Sequence, residues 1–92
     1  LDLLSSAIDD VIMERIAFLR EQVRPDNKPE INDTFQHQIN ILESVDLEKL
    51  DKSILMRKAH LKHTKDVGET DRLFCELETL EWLQRQVKRY EK

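Results

Sequence analysis

The chain has 92 residues, 39% hydrophobic and 37% charged, with a net charge of −4 at pH 7. That length fits one domain with a modest core, and the composition excludes both a disordered chain and a membrane-spanning one, since no run approaches the ~20 apolar residues of a spanning helix. One glycine and two prolines leave too few turns for an all-β fold, and the single cysteine, Cys75, cannot close an internal disulfide, which points to a reducing compartment, cytoplasm or nucleus.

The first helix is expected over residues 4–24. Leu4, Ile8, Val11, Ile12, Leu19 and Val23 form one stripe at helical spacing, with Ile16 and Phe18 on its flanks. Ser5 or Ser6 is placed to cap it, Asp9 and Asp10 suit its dipole, and Pro25 stops it. Residues 25–33 read as a loop stiffened by Pro25 and Pro29. A second helix is expected over residues 33–44, where Asp33 and Gln36 have capping-box spacing and Phe35, Ile39 and Leu42 supply the inner face.

A third helix is expected over residues 47–67. It is entered through a Val45–Leu50 staple, with a short turn ahead of the main helix as an alternative, and is closed by Gly68 as a C-terminal glycine. Leu47, Leu50, Ile54, Leu61 and Val67 give its apolar side. The fourth, over residues 70–91, is capped by Thr70 or Asp71 and has the clearest stripe, Leu73, Leu77, Leu80, Leu83, Val87 and Tyr90. The pairs Arg72–Glu76 and Glu81–Arg85 are spaced to support its exposed side. The product is an all-α, compact antiparallel four-helix bundle, one domain that reads as a piece of a larger intracellular protein.

Charge is unevenly spread. Residues 25–46 carry Lys28 against five acids, a net of −4, whereas residues 47–68 carry six basic side chains against three acids, a net of +3, with His60 and His63 in addition. The mildly acidic whole argues against general nucleic-acid affinity. Lys52, Arg57, Lys58, Lys62 and Lys65 make helix 3 a basic face, but no aromatic residue interleaves with them for base stacking, and a charged helix face is usually just solvated.

No catalytic, cofactor or metal motif is found. His60-x-x-His63 supplies two imidazoles one turn apart, with Asp66 three residues on, but another element would have to supply the remaining ligands, Cys75 is the only soft candidate, and neighbouring lysines repel a cation; His37 stands alone on a polar face. Cys75 sits beside Glu76 and Glu78, which raise a thiol pKa and blunt its reactivity. The only glycine cannot build a phosphate loop.

Arg15, Arg57 and Gln84 each interrupt an apolar stripe. The expectation is that the arginines snorkel to the bundle edge or pair with an acid. The Ile8, Asp9 and Arg15 pattern loosely resembles small helical chorismate mutases, whose converging arginines bind a dicarboxylate, but that family's later lysine and Arg-Glu pairs have no match here. Leu42–Val67 resembles, without a specific motif, the helical modules of transcription-elongation and chromatin-tethering factors, which implies a nuclear setting and a role in transcription regulation.

Trp82 points away from the leucine stripe of helix 4, on the side of Cys75 and Arg89, and tryptophan is a strong interface anchor. The expected function is therefore a non-catalytic protein-protein interaction or scaffolding domain. It would present Trp82, Cys75, Glu78 and Arg89, or the basic Arg57, Lys58, Lys62 and Lys65, to a helix or peptide of another protein. The alternatives are a homodimer through helix 4 and a nucleic-acid or chromatin contact through helix 3.

Overall fold

The computed structural model describes the backbone of residues 2–90 and the side chains of residues 6–90. Four α-helices follow one another: α1 (Asp2–Gln22), α2 (Pro29–Ser44), α3 (Leu50–His63) and α4 (Val67–Tyr90), with a 3-10 turn, Leu47–Lys49, ahead of α3. Among the described residues there is no strand, and no helix is long and apolar enough to cross a membrane. The expected all-α helical bundle forms. Leu4, Ser5 and residue 91, included in the expected helices, have side chains outside the described residues.

The interior is built from Ile8, Ile12, Ile16 and Leu19 of α1, Ile39 and Leu42 of α2, Leu50 and Ile54 of α3, and Leu77, Leu80 and Leu83 of α4. Each is worth roughly 1.5–3 kcal/mol on burial. Ile16, expected at the flank, lies in this core, because the buried line of α1 runs 8–12–16–19; Val23 and Phe18 fall outside it and are exposed. Tyr90, at the far end of the α4 stripe, is exposed too.

α4 is the central element. It packs against α1, α2 and α3, and α1 and α2 pack against each other, whereas the backbone of α3 comes close only to that of α4 and the 3-10 turn. The body is accordingly flattened, 39 × 35 × 18 Å.

Helix ends depart from expectation at two places. α2 starts at Pro29, not at Asp33. Proline is suited to the first helical turn, where its missing N–H would have no partner, and it holds Lys28 extended. The loop is tied by asparagines instead. The Asn27 side chain donates to the Gln22 carbonyl (2.6 Å) and to Asn32 Oδ1 (3.0 Å), and Asn32 donates to the Arg24 carbonyl (2.8 Å). The first of these bonds occupies a carbonyl left over at the end of α1, and the others hold the loop that follows.

The second departure is at Gly68. α3 ends at His63, and Gly68 lies in the first turn of α4 with no positive φ. Asp66 is the reason: its Oδ1 accepts from the Glu69 amide (3.1 Å) and starts α4 three residues earlier than Thr70. Glu69 in turn accepts from the Thr64 hydroxyl (3.1 Å). Val67, expected in the apolar side of helix 3, is left exposed. The entry to α3 does contain the short turn, capped by Asp46, whose Oδ1 accepts from the Glu48 amide at 3.0 Å.

Candidate functional site

Trp82 sits half-buried on α4, and its ring meets Arg15 of α1. The Arg15 guanidinium carbon is 5.2 Å from the Trp82 ring centre and 5.1 Å from that of Phe18, so two aromatic faces hold one cation. Arg15 reaches this position because it is offset from the 8–12–16–19 line, on the seam between α1 and α4. Next to it is a small cavity of about 80 Å³, lined by Arg15, Gln38, Glu78, Trp82 and Arg85 among others. Among the described residues, neither Arg15 nor Arg85 forms an ion pair.

Of the residues expected around Trp82, Glu78 joins it at this cavity. Cys75 does not: it lines a separate open cleft with Asp33, His37, Asp71 and Arg72. Burial pushes the Cys75 thiol up, and Glu78 and Glu76 push it further the same way. Arg89 is exposed in the last turn of α4.

The basic face of α3 is smaller than the sequence suggested. Arg57, expected to be available to a partner, turns inward. Its Nε donates to Glu76 Oε1 at 2.7 Å and its Nη1 to the Ser53 carbonyl at 3.3 Å. The other Glu76 oxygen is 2.9 Å from His37 Nε2, so one carboxylate joins α2, α3 and α4. Glu76 therefore leaves the expected Arg72 pairing, and His37 is a bridging residue rather than an isolated one. Burial alone would raise the Glu76 carboxyl; the hydrogen bonds and charges of Arg57 and His37 outweigh it and hold the group below its ordinary range.

Lys58 lies 3.9 Å from Glu81, which replaces the expected Glu81–Arg85 pair. Lys62 and Lys65 are exposed. His60 Nε2 is 2.7 Å from Glu69 Oε1, and among the described residues no three His, Cys, Asp or Glu side chains are placed to hold a metal ion. Gln84 donates to Asp51 Oδ1 at 2.7 Å, across to α3. Arg15 and Arg57 line different cavities, so the two guanidiniums do not converge.

Sequence reasoning found Arg15, Arg57 and Trp82 as departures from pattern but missed Glu76, His37 and Phe18 as their partners. The available signal was that Glu76 falls between Leu73 and Leu80 of the apolar stripe, as Arg57 falls between Ile54 and Leu61. Compared with protein-family models, curated proteins and solved structures, the chain matches none.

Proposed function

We propose that the chain is a non-catalytic protein-interaction domain that receives a helix or peptide of another protein on the face around Trp82. The observation that carries this reading is Arg15, a cation without a carboxylate partner among the described residues, held between Trp82 and Phe18. Tryptophan and arginine dominate interface energetics, and a guanidinium already fixed by two rings loses little freedom when a partner arrives. Phe18 remains 48% exposed and extends the face with apolar surface. Arg85 adds a second cation without an ion pair among the described residues, so the partner segment offered here carries an acidic side chain next to an apolar one.

The resemblance of Leu42–Val67 to modules of transcription and chromatin factors extends this proposal to a nuclear partner. A nucleic-acid contact through α3 has less support, because Arg57 is engaged with Glu76 and Lys58 stands near Glu81. A seam along α4 has less as well, because Leu73, Leu77, Leu80 and Leu83 are buried within the bundle.

The test is affinity capture with the intact chain, comparing wild type with Arg15→Ala and Trp82→Ala, each checked for unchanged helicity. Loss of the same captured protein with both variants supports the face. Equal recovery with both removes it.

A further inference from the structure

A second surface lies away from Trp82. Because the backbone of α3 lies close to α4 and not to α1 or α2, the bundle is open along the side of α1, the end of α2 and the 3-10 turn. The resulting groove, about 610 Å³, is floored by Ile12, Ile16 and Leu42 and walled by Met13 and Leu47, with Met13 66% exposed. Asp9, Glu43, Asp46 and Glu48 rim it, and among the described residues no lysine or arginine lines it. Glu43 is paired with Arg20 at 2.8 Å and Asp46 is used as a cap, but Asp9 and Glu48 form no ion pair among the described residues.

The same chain carries the complementary shape and charge. Leu50 and Ile54 face α3 inward, and the opposite side of that helix presents Leu55 (67% exposed), Met56 (62% exposed) and Ala59, spaced to lie together. Lys52 and Lys62 flank this ridge, both exposed and without ion pairs among the described residues. Within one molecule the ridge points away from the groove and cannot fill it.

We propose that the outer ridge of α3 docks into the acid-rimmed groove of a second copy of this chain. Met56 and Leu55 enter the apolar floor, and Lys52 and Lys62 meet Asp9 and Glu48, so cations on α3 of one copy neutralise acids on the groove rim of the next. The contact joins two different surfaces and is therefore head-to-tail. Each added copy leaves one groove and one ridge open, and growth continues unless the rotation closes a ring. Neither Trp82 nor Arg15 takes part, so the inference stands or falls independently of the proposed partner face.

The test is sedimentation of the full chain from micromolar to millimolar concentration, with two single variants, Met13→Glu in the groove and Met56→Glu on the ridge. Both positions are exposed, and circular dichroism checks that each variant keeps its helices. The parent chain is expected to grow beyond a dimer with concentration, and to associate about tenfold more weakly when salt rises from 0.1 to 1 M and the screening length falls from ~10 to ~3 Å. Each variant alone is expected to remain monomeric. Mixed in equal amounts they are expected to form a dimer and stop, because one still offers a ridge and the other a groove. A parent chain that stays monomeric, variants that assemble like the parent, or a mixture that stays monomeric overturns the proposal. So does a groove that takes a synthetic leucine-lysine helical peptide while the chain itself remains monomeric, which would assign it to a different protein.

Discussion

Replacing Glu76 tests whether one carboxylate holds three helices. Its side chain is only 14% exposed, and it receives Arg57 at 2.7 Å and His37 at 2.9 Å. A charge-assisted hydrogen bond contributes ~1.5–3 kcal/mol where it is well buried. Arg57 and His37 are each about one-third exposed, so water already competes, and the lower part of that range applies. Glu76→Ala is therefore expected to cost about 2 kcal/mol. Glu76→Gln, which keeps the shape and can still accept from Arg57, is expected to cost about 1 kcal/mol. At ~4–8 °C per kcal/mol for a domain of this size, the alanine variant should melt about 8–16 °C lower and the glutamine variant about half as much lower.

The folded-state pKa of Glu76 lies below the ordinary value of 4.5. Its contribution is therefore complete above the unfolded-state pKa and is lost as pH falls through the lower, folded one. The part of the gap between wild type and Glu76→Gln that comes from the Glu76 carboxylate should close in acid, as pH falls below about 4.5. Thermal and urea melts followed by circular dichroism across that range measure it. A Glu76→Ala melt within about 2 °C of wild type, or full additivity with Arg57→Ala in a double-mutant cycle, refutes the reasoning.

Leu83, fully buried at the centre of the core, should cost about 2–5 kcal/mol as Leu83→Ala, read from urea unfolding. Arg15→Ala should shift the emission of Trp82, the only tryptophan, and cost about 0.5–1 kcal/mol; an unchanged spectrum would remove the stacked arrangement. Gly68→Ala should leave the melting point nearly unchanged or raised by a few degrees. Alanine favours a helix by up to ~1 kcal/mol, offset by its Cβ at 3.3 Å from Asp66 Oδ1, whereas a left-handed cap would make the substitution clearly destabilising. Cys75 should react with a thiol reagent at neutral pH several-fold more slowly than free cysteine, and faster in Glu78→Gln, because its thiolate is suppressed by burial and by that acid.

The core was readable from spacing, because leucines and isoleucines recur at three and four residues in every helix. The helix ends were less so, because single residues have two uses. Pro29 can stiffen a loop or begin a helix, and the absence of a required N–H at that point decided for the helix. Gly68 can end a helix or sit in one, and the competing cap at Asp66 decided that case. Within the candidate site, Arg15 and Arg57 could be seen to break their stripes. Phe18, three residues on from Arg15 in the same helix, was within reach of spacing alone, but Trp82 and Glu76 become neighbours of Arg15 and Arg57 only once α4 is known to lie centrally, with α1 on one flank and α3 on another. The partly covered Trp82 follows from the same placement.

The attachment of α3 to a single helix also divides the molecule into regions of unequal permanence. α1, α2 and α4 enclose one another, but α3 is held through Leu50, Ile54 and a set of polar links to α4 from Arg57, Lys58 and Asp51. It can lift away as a unit at lower cost than global unfolding, while the other three retain most of their shared interior. Its amide protons are accordingly expected to exchange with solvent deuterons ahead of those in the middle of α4.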